Sequence, residues 1–119
     1  MKISNHFDSA EFACKCGCGF DTVSIELLDV LEDLRQVWDQ PIKINSGCRC
    51  EKHNESVGGT PGSYHTKGMA ADIVVCGVSP AKVYQYLTGK YPDKYGIGLY
   101  INRVHVDVQK LKHRWTKGG

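Results

Sequence analysis

Long apolar stretches are missing from this sequence. No run approaches the roughly 18 apolar residues that a membrane-spanning helix needs, so we expect no membrane span. The opening residues, MKISNHFDSAEF, contain no apolar segment of the kind that directs secretion. We therefore expect synthesis in the cytoplasm without a signal peptide.

An excess of one charge is missing too. The formal net charge is only +2, which is too small to indicate a nucleic-acid partner. Basic residues cluster only in the tail KLKHRWTKGG, for which we expect a solvated terminus, with contact to an anionic surface as the alternative. Internal repeats and long linkers are also absent, so residues 1–119 are expected to form a single domain and a monomer.

Two N-terminal stretches are predicted to be helical. FDSAEFAC is typical of a short helix with a capping box, in which Asp8 or Ser9 is the cap. VSIELLDVLEDLRQVWDQ repeats its apolar residues with helical periodicity and begins with Ser24 as a plausible cap.

The rest of the chain alternates strands with helices. PIKINSG and AADIVVC are predicted strands, the second buried and central, and YGIGLY and RVHVDVQ form a predicted hairpin. The intervening segments are two helices and a loop: CRCEKHNESVGG, SPAKVYQYLTGKY and GGTPGS. This order predicts an α+β fold, with a small, mostly antiparallel sheet and flanking helices.

The six cysteines are concentrated in two short runs, CKCGC and CRC, which hold five of them. Disulfides are not the default without a secretory signal, and C-x-C-x-C lacks the usual spacing of structural zinc sites. We expect reduced thiols that pack as small hydrophobic groups. A disulfide between the two runs and a second, structural metal at the cysteines are the alternatives.

Three polar residues near predicted strands form a candidate metal site. In SYHTKGMAADIVV, His65 lies seven residues before Asp72, and His105 lies in RVHVDV. Two imidazoles and a carboxylate are a common ligand set for catalytic zinc. The alternative is that the three residues are polar side chains without a shared role, because H-x6-D is far less specific than H-E-x-x-H.

Alternation along RVHVDV adds to the metal hypothesis. It puts His105 on one strand face with Arg103 and Asp107, while the valines point to the other face. A polar stripe opposite an all-valine face favours a site on that stripe.

Several motifs together resemble the peptidase M15 family of zinc D-alanyl-D-alanine carboxypeptidases and murein endopeptidases. They are the N-terminal HFDSAEFACKCGCGF, the central SGCR, HNESVGG and SYHTKGMAAD, and the closing YGIGLY and VHVDV. The resemblance covers nearly the whole chain and is closest to the small branch found in phage lysins and bacterial cell-wall enzymes. It implies that His65, Asp72 and His105 ligate one catalytic Zn²⁺.

The resemblance also implies further site residues and a substrate. Arg49, the arginine of SGCR, would hold substrate or stabilise the oxyanion of the transition state. Ser63 would bind substrate or support the metal ligands, and Asp107 would orient a histidine or act in catalysis. The implied partner is a peptidoglycan peptide, and the implied place of action is the cell wall, for example after phage lysis.

One family feature is missing. Relatives commonly carry an acid three residues before the last zinc histidine, or a histidine two before it, and these positions are Asn102 and Arg103 here. Neither can act as a general base. Asp107, Glu51 and Glu55 are the substitute candidates. The alternative function is a non-catalytic zinc-containing module that binds cell wall or another partner, as in the related fold of hedgehog signalling domains.

Overall fold

A computed structural model describes residues 2–19, 21–59 and 63–117. It has three α-helices, α1 (Ile25–Trp38), α2 (Glu51–Ser56) and α3 (Pro80–Lys90). Five strands accompany them: β1 (Ile42–Ser46), β2 (Ala70–Val75), β3 (Gly96–Tyr100), β4 (Val104–Asp107) and β5 (His113–Lys117). Two 3₁₀ helices span Ser9–Phe12 and Tyr64–Lys67. Part of the predicted loop GGTPGS, residues 60–62, lies outside the described residues.

The strands form one sheet in the order β1-β2-β4-β3-β5. Every neighbouring pair is antiparallel except β3 and β5, which run parallel. The predicted α+β class with a mostly antiparallel sheet is therefore confirmed. The buried strand β2 lies inside the sheet as predicted, between β1 and β4.

The helix caps predicted at Asp8 and Ser24 are confirmed, and Ser79 caps α3 in the same way. Asp8 and Glu11 form the reciprocal capping box of the first 3₁₀ helix. The hydroxyls of Ser24 and Ser79 accept the backbone N–H groups of Leu27 and Lys82 at the starts of α1 and α3.

The hydrophobic core lies on one face of the sheet. Alternate residues of the strands point to this face, for example Ile73 in β2 and Val104 and Val106 in β4, all buried. Helices α1 and α3 cover them with the buried side chains Leu27, Leu31, Leu34, Val83 and Leu87. The opposite face of the sheet is thereby left for polar side chains. None of the helices in the described ranges combines the length and apolarity needed to cross a membrane.

Residues 113–117 of the tail form the strand β5, in which His113, Thr116 and Lys117 are exposed, as a solvated tail predicts, but the chain is not a free terminus. Backbone pairing with β3 places Trp115 opposite Gly98. The guanidinium of Arg114 donates hydrogen bonds to three backbone carbonyls that precede β3, namely those of Tyr91, Lys94 and Tyr95. The segment was missed because these bonds come from the backbone and one arginine, and neither produces a hydrophobic pattern.

We predict that Arg114→Ala destabilises the fold by about 1–3 kcal/mol, because three carbonyls lose a charged donor. Urea unfolding followed by circular dichroism measures the free energy of unfolding. The exposed Lys112 supplies the control, and Lys112→Ala should unfold like the wild type. Equal stability of the two variants would contradict a structural role for Arg114.

Candidate metal centre

The pairing of β2 with β4 brings two of the predicted ligands together. Asp72 lies directly opposite His105 in the antiparallel register, so both side chains project from the same face. The Nδ1 atom of His105 is 3.1 Å from Oδ1 of Asp72. Both are on the face opposite the core, as alternation along RVHVDV predicts.

The second 3₁₀ helix delivers the third residue, His65. The hydroxyl of Ser63 caps this helix by accepting the N–H of His65, and Gly68 ends it with a left-handed φ of 68°. Only glycine suits this position, because an added Cβ would lie 2.4 Å from the carbonyl oxygen of Thr22. The chain folds back there, and Nε2 of His65 comes within 3.6 Å of Oδ1 of Asp72.

Each imidazole has one nitrogen occupied and one nitrogen turned toward Asp72. His65 donates from Nδ1 to the carbonyl oxygen of Gly47 at 2.6 Å, which leaves Nε2 for Asp72. His105 donates from Nε2 to Oδ2 of Asp107 at 2.8 Å, which leaves Nδ1. Such outer hydrogen bonds fix the tautomer of metal-binding histidines.

The donor set suits zinc. The three potential ligand atoms lie within 4.8 Å of one another, and two nitrogens plus one carboxylate oxygen are typical of a zinc site that leaves a position open. The residues present therefore fit the cation that the sequence predicts.

Asp72 is held as a buried carboxylate. Burial raises the pKa of Asp72, but hydrogen bonds and charges from His105 and His65 outweigh it and bring the pKa below its usual range. Arg49 Nη2 and Arg103 Nε lie 3.7 and 3.8 Å from its Oδ2 atom. Cations on both sides therefore compensate the negative charge.

Asp107 lies beneath His105 and is buried. Its Oδ1 accepts hydrogen bonds from the backbone of Gly96 and from Gln109, while Oδ2 accepts the one from His105. Burial raises the pKa of Asp107, but the bonds from His105 and Gln109 lower it overall. Arg103, which the sequence places on the same strand face, pairs with Asp72 and not with Asp107. These contacts suit a residue that orients His105 more than one that takes a proton from water.

The charged side chain of Arg49 is fixed at the edge of the site. Its Nε donates to Oγ of Ser46 at 3.2 Å and its Nη1 to Oδ1 of Asn54 at 3.1 Å. Asn54 is itself buried against Gly59, where an added Cβ would lie 2.0 Å from the amide oxygen. The third nitrogen, Nη2, faces Asp72.

A cleft of about 660 Å³ opens over these residues and also contains Ser63 in its wall. Glu51, Glu55 and Asn102 are exposed and do not line it. Among the described residues, Asp72 and Asp107 are therefore the carboxylates of the cleft wall.

Sequence reasoning missed the aromatic wall of the cleft. Trp115 of β5 lies with its ring 5.0 Å from that of His105, and its indole N–H donates to the hydroxyl of Tyr100 at 3.1 Å. His113 also lines the cleft. The feature of the sequence that could have indicated this wall is the second glycine of YGIGLY, Gly98, because a Cβ there would lie 2.2 Å from the indole of Trp115. The glycine leaves the space that Trp115 fills.

Comparison with known proteins adds one finding. The family model described as Peptidase M15 matches residues 5–107, a span that includes His65, Asp72 and His105 and stops before β5. Neither the curated proteins nor the solved structures give a match.

We predict that Asp107→Asn weakens zinc binding about 10–100-fold, because an amide no longer fixes the His105 ring as a carboxylate does. Competition with a zinc chelator gives the affinity for zinc. Only the zinc that is lost in the His65→Ala variant is counted. Asp93→Asn, an exchange at an exposed position, is the control. Wild-type affinity in Asp107→Asn would contradict the orienting role and return Asp107 to the candidates for proton transfer.

Proposed function

The chain belongs to the peptidase M15 family, and from this premise we propose that it is a zinc-dependent peptidase that cleaves peptidoglycan stem peptides, as a carboxypeptidase or an endopeptidase. The single observation that carries the proposal is the convergence of His65 Nε2, His105 Nδ1 and the Asp72 carboxylate. Family membership supports a peptidase, and the ligand set supports metal-assisted hydrolysis. The proposed place of action is the cell wall.

The three side chains would hold the cation through these atoms. When bound, Zn²⁺ would polarise the scissile carbonyl and lower the pKa of a water molecule. Gly47 and Asp107 keep the two rings in the tautomers that ligation requires. The low pKa of Asp72 keeps its carboxylate ionised at neutral pH, so that this one ligand has no proton to lose before the metal binds.

Arg49 is proposed to act on the substrate. Its fork is held by Ser46 and Asn54, so little side-chain freedom is lost when an anionic group approaches. A fixed cation next to the reacting carbonyl stabilises the charge that develops on its oxygen, and it equally suits a peptide carboxylate. Ser63, whose hydroxyl caps the His65 turn, is proposed to line the substrate path from the cleft wall.

A non-catalytic zinc module that binds cell wall is the second candidate. The observation in its favour is the lack of a free acid: Asn102 and Arg103 occupy the usual base positions, and Asp107 is engaged with His105. A peptidase of this composition is expected to turn over slowly, because proton transfer has no dedicated acceptor.

We predict that the protein releases amino groups from purified murein, and that a chelator or His65→Ala abolishes the release. Loss of one imidazole removes both metal and turnover. His6→Ala changes an exposed histidine that pairs with Glu32 and should behave like the wild type. Mass spectra of the fragments identify the bond cut. Intact murein incubated with fully zinc-loaded protein would refute the peptidase and favour the binding module.

We predict that Arg49→Lys lowers kcat on the order of 100-fold at unchanged metal content, because lysine keeps the charge but loses the fixed fork. Steady-state kinetics on a murein peptide separate kcat from KM. The control is Arg35→Lys, which changes an arginine that pairs with Asp39 on the surface of α1. A raised KM at unchanged kcat would instead restrict Arg49 to ground-state binding of substrate.

A further inference from the structure

A second group of potential ligands lies outside the cleft. The sulfur atoms of Cys14, Cys16, Cys18 and Cys50 all lie within 4.8 Å of one another, although Cys14 and Cys50 are 36 residues apart in the chain. Cys14 and Cys48 are buried, as expected of thiols that pack as small hydrophobic groups, whereas Cys16 and Cys18 are exposed and contradict that expectation. The structure gives all six cysteines as free thiols, so the alternative of a disulfide between the two runs is not realised.

The spacing of the sulfurs matches a tetrahedral thiolate site. Zinc–sulfur bonds of about 2.3 Å place neighbouring sulfurs of a tetrahedron roughly 3.8 Å apart. The observed separations are 3.4 Å for Cys14–Cys16, 3.7 Å for Cys16–Cys50 and 3.9 Å for Cys14–Cys50. The three measured edges are therefore close to the tetrahedral value without further movement of the chain.

Two glycines explain how a C-x-C-x-C run reaches this geometry. Gly17 and Gly19 have left-handed φ angles of 81° and 89°, and the N–H of Gly17 donates to the carbonyl of Cys14 at 3.1 Å. This tight turn curls the run CKCGCG around one point. The usual C-x2–4-C spacing is thus replaced by a shorter run with two left-handed residues.

Backbone donors support two of the sulfurs. The N–H of Cys50 donates to Sγ of Cys14, and the N–H of His53 donates to Sγ of Cys50, both at 3.4 Å. N–H groups directed at sulfur stabilise thiolate ligands in the same way that outer hydrogen bonds stabilise other metal ligands.

We propose that Cys14, Cys16, Cys18 and Cys50 bind a structural Zn²⁺, separate from the candidate centre at His65. Four thiolates in a closed tetrahedron are characteristic of structural zinc. Because this ion leaves no open position, its function would be to fasten the N-terminal segment to α2.

The proposed ion would fix residues that the first centre uses. Cys50 directly follows Arg49, and the neighbouring Cys48 binds the carbonyl of Phe12 through both its N–H and its thiol. Gly47 is pressed against the Phe12 backbone, where an added Cβ would lie 2.6 Å from its Cα. Segments 12–18 and 47–50 are therefore packed against each other, and the ion would link them through the four sulfurs.

Metal counting tests the proposal independently of any peptidase activity. Protein purified under reducing conditions is analysed by native mass spectrometry and elemental analysis. We expect two zinc ions in the wild type, one in His65→Ala and one in the double variant Cys16→Ser/Cys18→Ser. Cys76→Ser alters an exposed cysteine outside the cluster and should retain both ions.

Cobalt substitution identifies which ion is which, even if the cysteine variant fails to fold. Co²⁺-loaded wild type and His65→Ala should both show sulfur-to-metal charge-transfer absorption in the near ultraviolet. The proposal would be overturned if the wild type held a single zinc ion that is lost in His65→Ala. It would also be overturned if Co²⁺-loaded His65→Ala lacked this absorption. Iron at the cluster would overturn the choice of zinc, and fewer than six reactive thiols in denatured, metal-free protein would indicate disulfides instead.

Discussion

The pairing of Asp72 with His105 across β2 and β4 is the contact on which the site depends. It sets a row of residues across the sheet: Ser46 in β1, Asp72, His105, Gly98 in β3 and Trp115 in β5. A slip of one residue between β2 and β4 would turn His105 toward the core and a valine toward the cleft. The valines on the core face of β4 therefore maintain the register of the candidate metal site, because their burial makes that slip unfavourable.

Burial of the Asp72 carboxylate imposes the next constraint. A charge in this position is tolerated only with partners, and these come from three different parts of the chain. His65 arrives on a 3₁₀ helix, His105 on β4, Arg49 before α2 and Arg103 before β4. Their convergence requires the whole fold, and it leaves the carboxylate ionised where a cation can use it.

Periodicity and turn chemistry predicted most of this arrangement. The alternation of RVHVDV located His105 and Asp107 on one face, and Ser24 and Asp8 marked helix starts, because these signals are local. β5 and Trp115 escaped prediction because a polar, basic strand is held by pairing and by Arg114, both long-range effects. A metal at the cysteines was only an alternative prediction, because their spacing is unusual and the left-handed turns at Gly17 and Gly19 that bring them together leave no pattern in the sequence.

Segment 47–50 links the two proposed metal sites. The carbonyl of Gly47 holds the His65 ring, the N–H of Arg49 donates to the His65 carbonyl, and the sulfur of Cys50 belongs to the cluster. A displacement at Cys50 would therefore move both His65, a proposed metal ligand, and Arg49, the cation proposed to contact the substrate. In an enzyme without a dedicated base, rate enhancement depends more heavily on fixed positions, since electrostatic stabilisation acts only where its donors are preorganised. By holding segment 47–50 in place, the proposed structural ion would keep His65 and Arg49 positioned for the proposed reaction.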